Sequence, residues 1–212
     1  MLPRSFIEQG WCWVPRTGSL LELAKRLGVV MQLPAERSSV QLLIPRQAAE
    51  AGHNSLSAMH GLGRFPFHTD LAHWPKPPRY IILSCLTDET ATPTRLLSAV
   101  ATERALRIAL GGLWKVTAVK HPFLCSCYDD QYRRLRWDSA CMVPANQCAR
   151  RIHDKLAESL EQHERVAFTR VDWPQPDRAL LIDNWRVLHA RAPVERVGTR
   201  VIERIYLDEV FQ

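Results

Sequence analysis

Residues 79–86, RYIILSCL, follow the double proline Pro77–Pro78 and form the clearest strand in the chain, because the run is apolar and rich in β-forming side chains. Around it, further strands are expected at 40–44 (VQLLI, stopped by Pro45), near 113–120 and 132–137, and at 164–171, 179–183 and 199–207. Helices are expected at 19–28, with Ser19 near the N-cap and Gly28 at the end, at 97–110 and at 145–162. A helical turn or two is expected at 46–51. Residues 52–67, with three glycines and a proline, read as loop.

Many short strands with a few helices outside them fit a jelly roll better than a doubly wound sheet. The expectation is therefore a mixed α/β, mainly β domain, although periodicity alone does not choose the fold. No repeat, low-complexity stretch or linker divides the chain, so residues 1–212 are read as one domain. Neither G-x-G-x-x-G nor G-x-x-x-x-G-K-[ST] occurs, which removes support for a dinucleotide site or a P-loop.

Composition narrows the class. No apolar run approaches the roughly 20 residues of a membrane span, and the start, MLPRSFIEQGWCW, has an acid and a glycine where a signal peptide carries its apolar core. A cytoplasmic address is the expectation. With 46% hydrophobic residues the core is large, so the six cysteines read as reduced thiols rather than three disulfides. Cys125 and Cys127 form C-x-C, not a C-x-x-C zinc knuckle. The net charge of +6 invites a nucleic-acid partner, but the arginines are dispersed and form no basic run. A nucleic-acid-binding module thus stands only as a rival reading.

The chemistry concentrates in three passages: FPFHTDLAH at 65–73, DNWRVLHAR at 183–191 and TRVIERIYL at 199–207. If FPFHTD is extended, His68 and Asp70 project from one face and offer a two-point chelate for a first-row divalent metal. One more histidine, for which His189 is the candidate, completes a facial triad with three positions left open. H-x-D alone carries little weight, since 22 acids among 212 residues and eight histidines yield about one such match by chance. On the last strand Arg200, Ile202, Arg204 and Tyr206 share one face and Val201, Glu203, Ile205 and Leu207 the other. Inward arginines need anions to meet them, and a guanidinium fork grips a carboxylate. The alternative turns them outward and buries Glu203 in a pair.

Taken together, these passages resemble the taurine dioxygenase-like (TauD/TfdA, clavaminate synthase-like) branch of the Fe(II)/2-oxoglutarate-dependent oxygenases. FPFHTDLAH is similar to that family's H-x-[DE] segment, and ALLIDNWRVLHAR to its distal block. The resemblance covers roughly residues 55–100 and 178–207. It implies a double-stranded β-helix, the cupin-type jelly roll, with flanking helices, and iron ligation by His68, Asp70 and His189. It implies that Arg200, eleven positions after His189, grips the far carboxylate of 2-oxoglutarate, with Thr94 sharing it and Thr92 as the alternative. Arg204 falls where some members contact substrate; its plain reading is a pair with Glu203 or Asp208. Asn54, Ser55 and Ser57 lie where members bind polar substrate groups, and Trp74 is placed at the pocket wall. Asp183 and Asn184 are expected to orient the strand carrying His189. His73, five residues past His68, is expected to face away from the site.

The resemblance thus implies a dioxygenase using Fe(II), 2-oxoglutarate and O₂ to hydroxylate a small, anionic or amino-acid-like substrate, with release of succinate and CO₂. No membrane partner is expected, and a homo-oligomer stays open. The enzymatic rival is a metal-dependent cupin that does not use 2-oxoglutarate and so has no need of Arg200.

Overall fold

The computed structural model describes residues 2–34, 38–52, 55–87, 89–117, 120–166, 168–173, 177–198 and 200–211. The N-terminal half runs α1 (Arg4–Gln9), β1 (Trp11–Pro15), α2 (Leu20–Leu27), β2 (Gly28–Val30), β3 (Gln41–Leu43), a 3-10 turn (Ala48–Glu50), α3 (Leu56–His60), β4 (Phe65–His68), β5 (Tyr80–Cys85), β6 (Glu89–Leu97) and α4 (Ala99–Arg107). Next come β7 (Trp114–Val116), β8 (Phe123–Cys125), β9 (Tyr128–Asp129), β10 (Arg134–Leu135), β11 (Met142–Pro144), α5 (Gln147–Val166), β12 (Thr169–Trp173), β13 (Arg178–Asp183), β14 (Leu188–Arg191) and β15 (Ile202–Val210). The molecule is mainly β, with few helices.

Two antiparallel sheets organise it. The larger has the order β1-β13-β5-β15-β2, with β3 also paired to β15, and the smaller has the order β12-β6-β14-β4. Side-chain alternation explains their stacking. From the large sheet Ile81, Leu83, Leu180, Ile182, Ile202 and Tyr206 point to one side, where they meet Leu96, Val171 and Trp173 of the small sheet in a shared core. The intervening residues Ile82, Leu181, Ile205 and Leu207 point to the other side and are covered by Phe6 of α1 and Leu20, Leu23 and Ala24 of α2. The outer face of the small sheet, with Phe67, Leu97, Leu188 and Ala190, packs on Leu106 of α4, Trp114 of β7 and Leu156 of α5. Because both faces of β5 are buried, its sequence is an unbroken apolar run rather than an alternating one.

The expected elements appear with shifted ends. Ser19 caps α2 through a capping box with Glu22, as its sequence implies. The 97–110 helix starts later, at Ala99, and the 145–162 helix runs on to Val166, so the strand read at 164–171 begins only at Thr169. The segment 52–67 is not all loop: Ser55 caps the short α3, and β4 pairs with β14. The strand expected to carry His189 is β14, whereas β1, β2, β6, β8, β9 and β11 have no counterpart among the expected strands. In β6 the sequence ETATPTRLL looks like loop because of Pro93, yet that proline falls where the register with β12 shifts. A proline at such an irregularity interrupts no regular ladder.

Candidate active site

His68 closes β4 and His189 lies in β14, directly opposite it in the antiparallel register. Residues opposed in this way put their side chains on one face, so the two imidazoles stand with ring centroids 4.4 Å apart. Asp70 comes two residues after the end of β4, and its Oδ1 lies 3.5 Å from His68 Nε2 and 3.3 Å from His189 Nε2. All three side chains are buried, and their three ligand atoms lie within 4.8 Å of one another. His68 Nδ1 is 2.9 Å from the Pro66 carbonyl; the proton belongs on Nδ1, which leaves the Nε2 lone pair for the centre.

The second oxygen of Asp70 is already engaged. Its Oδ2 accepts from Arg204 Nη1 at 2.9 Å and from the Tyr206 hydroxyl at 3.0 Å. Burial opposes a charge on Asp70, but Arg204 and the two histidines outweigh it and hold its carboxyl well below the usual range. Burial also opposes protonation of both histidines. At His68 the hydrogen bond and charge of Asp70 win and raise its pKa, whereas His189 is left lowered, with His68 adding to the effect.

The backbone around Asp70 is clamped. Asn184 accepts from the Asp70 N–H at 2.8 Å and donates to the carbonyls of Asp70 at 3.1 Å and Pro78 at 2.9 Å. Asp183 accepts from the Trp185 N–H and from Arg79, shaping the turn from β13 into β14. Leu71, next to Asp70, has φ 53°, a left-handed conformation that a branched side chain adopts at a cost. Buried Arg136 donates to the carbonyls of Ala72, Trp74 and Pro75 at 2.8–2.9 Å, which fixes the loop leaving the site.

A cavity of about 570 Å³ opens on the triad between the sheets. Arg200 enters it buried, its Nη2 donating to Thr94 Oγ1 at 3.0 Å and its Nε to the Thr92 carbonyl at 3.1 Å. Thr94 lines the cavity and Thr92 does not. Arg191 is the register partner of Thr94, so it stands near Arg200. It donates to the carbonyls of Gly61 and Gly63, both at 2.6 Å, and lies 3.6 Å over the Phe65 ring. Burial, reinforced by Arg200, lowers its pKa to about 10. Arg200, two residues before β15, and Arg204 within it both line the cavity, and Glu203 on the opposite face of β15 pairs with Arg16 at 2.8 Å.

His68, Asp70, His189, Thr94, Arg200 and Arg204 are thus brought together from separate segments of the chain. Arg204 meets neither Glu203 nor Asp208 but Asp70 and Gln41, whose amide oxygen is 2.9 and 3.1 Å from the guanidinium. Ser55 and Ser57 line the cavity, although the Ser55 hydroxyl also caps α3. Asn54 lies outside the described residues. Trp74 is not at the cavity wall; it packs against the inter-sheet core, because the turn after Leu71 carries it past the opening. His73 does line the cavity, since the chain leaves strand geometry at Thr69 and strand alternation no longer applies. Gln41, Arg136, Asp138 and Arg191 do not stand out in the sequence. Gln41 is found only through its register with Arg204, and Arg136 only through carbonyls more than sixty residues away.

No family model matches the sequence, and no curated protein matches it. By structure, 190 chains match. Asparagine oxygenase in complex with Fe(II), 2S,3S-3-hydroxyasparagine and succinate is 16% identical with a TM-score of 0.59, covering 80% of this chain and 56% of that one. PvcB of Pseudomonas aeruginosa is 17% identical with a TM-score of 0.62, covering 87% of this chain and 71% of that one. The non-haem iron oxygenase OrfP in complex with Fe and α-ketoglutaric acid is 19% identical with a TM-score of 0.59, covering 87% and 60%. The chain therefore spans little more than half of some of these neighbours. The likeness is one of fold: this chain has the fold of the iron- and 2-oxoglutarate-dependent oxygenases.

Proposed function

We propose that the chain is an Fe(II)- and 2-oxoglutarate-dependent dioxygenase on a double-stranded β-helix, hydroxylating a small amino-acid-like or anionic substrate with release of succinate and CO₂. The observation that carries this reading is the convergence of His68 Nε2, His189 Nε2 and Asp70 Oδ1 on one point in a cavity that also holds Arg200 against Thr94. Two imidazoles and a carboxylate are the donor set of non-haem Fe(II) oxygenases. The donors fit the metal: Asp70 keeps one oxygen for it because Arg204 and Tyr206 take the other, and His68 has its lone pair turned inward. Neighbours of the same fold carry Fe with succinate or α-ketoglutaric acid, and hydroxyasparagine in one case. Stacked antiparallel sheets with the cavity between them support the β-helix reading. Six free thiols support the cytoplasm as its compartment.

Bound at this site with 2-oxoglutarate and O₂, Fe(II) supplies the oxidising chemistry, one oxygen atom entering the substrate and the other succinate. The protein's own part is positioning and exclusion of water. Arg200 and Thr94 would hold the far carboxylate of 2-oxoglutarate, where a buried guanidinium needs an anion. Asn184 and Arg136 keep the Asp70 loop from drifting, and Tyr206 and Arg204 orient its carboxylate.

Anaerobic addition of Fe(II) and 2-oxoglutarate to the purified protein tests the reading by visible absorption. A weak charge-transfer band requiring both components, and absent in His68→Ala and His189→Ala, is expected. Arg200→Ala should raise the 2-oxoglutarate concentration needed by about a hundredfold, the cost of removing one partner of a buried ion pair. Fe(II) binding with no such band would instead favour a cupin that does not use 2-oxoglutarate.

A further inference from the structure

Beside the triad, the cavity is lined by the charged side chains Arg46, Asp138, Arg191, Arg200 and Arg204. Most have a fixed task. Arg191 is held by the Gly61 and Gly63 carbonyls and the Phe65 ring, Arg200 by Thr94 and the Thr92 carbonyl, and Arg204 by Asp70 and Gln41. Arg46 stands exposed at the rim, where solvent screens it.

Asp138 is different. It is half-buried in the wall, and among the described residues its carboxylate accepts one hydrogen bond, from the Ala140 N–H to Oδ1 at 2.8 Å. Among the described residues no arginine, lysine or histidine forms an ion pair with it. Its position is rigid. The preceding residue, Trp137, is tied on both backbone sides to Thr69, between two of the triad residues, by a 2.8 Å bond from the Thr69 N–H and a 3.2 Å bond to Thr69 Oγ1. The Asp138 carbonyl itself accepts from the Met142 N–H at 3.0 Å. Three histidines feel its charge: burial lowers the pKa of His60 and His73 despite the pull of Asp138, and the Nε2 of His68 is turned to Asp70 Oδ1 rather than to Asp138. The apolar residues Leu42, Leu43, Ile44 and Leu56 also line the cavity.

We propose that Asp138 is the substrate-recognition residue of this cavity and receives a cationic group, an ammonium or guanidinium, borne on a partly apolar small substrate. This deepens the oxygenase reading and rests on it. A carboxylate with free acceptor capacity, set in a partly desolvated wall, gains most from a ligand that brings the missing positive charge. With Asp70 engaged by Arg204 and Tyr206, Asp138 is the carboxylate of the cavity wall left to meet a substrate group.

The test uses the full chain loaded anaerobically with Fe(II) and 2-oxoglutarate, titrated with L-arginine and L-lysine and with their neutral near-isosteres L-citrulline and L-norleucine. The expected result is binding of at least one cationic probe about tenfold or more tightly than its neutral counterpart. Asp138→Asn should abolish that ratio while leaving the charge-transfer band unchanged, and Asp138→Glu should retain part of it. Equal binding of each pair, binding of none, or a preference that survives Asp138→Asn overturns the assignment to Asp138. The band itself separates the two failures: without it the oxygenase reading falls, and with it only the role of Asp138 does.

Discussion

Asp70 is the residue on which the site turns, since each carboxylate oxygen has a separate duty. Oδ1 faces the two histidines, and Oδ2 is occupied by Arg204 and Tyr206. Removing the hydroxyl in Tyr206→Phe keeps the ring in the core but frees Asp70 to reorient. Fe(II) affinity should fall by about tenfold with little change in melting temperature, as losses among groups that orient ligands usually do. Metal affinity should also depend on pH with a definite sign. In the metal-free protein burial works against a proton on His68, but Asp70 overrides it and holds the pKa above the ordinary 6.5. The proton therefore competes with metal up to that raised pKa, and affinity should climb as pH passes from 6.5 upward through it and then level off. Titrations of Fe(II) or Co(II) across this range check it; affinity that is flat or falls with pH would contradict the assignment of the proton to His68.

At the scale of elements, the turn between β13 and β14 and the loop after β4 behave as one unit, because Asn184 bonds both backbone sides of Asp70. Asn184→Ala leaves the Asp70 N–H and the Pro78 carbonyl unsatisfied in a buried place. It should cost about 2–3 kcal/mol in urea denaturation and weaken metal binding as well, which a merely structural turn would not do. The D-N pair can be singled out from sequence because it precedes the distal histidine. Its partner cannot, since 114 positions separate Asn184 from Asp70. The same distinction runs through the strands. β5 and β13 announce themselves as apolar runs because both of their faces are covered. β1, β4, β6 and β14 carry proline or functional polar residues instead of an apolar run, and become strands only through their neighbours' hydrogen bonds.

For the molecule as a whole, three hydrophobic layers are stacked across two sheets, so residues on the outer faces are as buried as those between them. Leu181→Ala, under α2 on the outer face, should therefore cost about 2–5 kcal/mol, as much as an inter-sheet leucine; denaturant midpoints for Leu181→Ala and Leu180→Ala compare the two directly. The roles of His189 and Arg200 and the jelly roll came through the family resemblance. By itself the sequence put His68 and Asp70 on one face as a possible chelate and Arg200, Arg204 and Tyr206 on another, because spacing and strand alternation are local properties of a chain. Only the tertiary structure decided that this face points inward, that Arg204 meets Asp70 rather than its strand neighbours, and that Trp74 turns away while His73 and Asp138 line the cavity. Those outcomes depend on which strand lies beside β15 and on where the chain leaves β4, contacts made across tens to more than a hundred residues that no local pattern encodes.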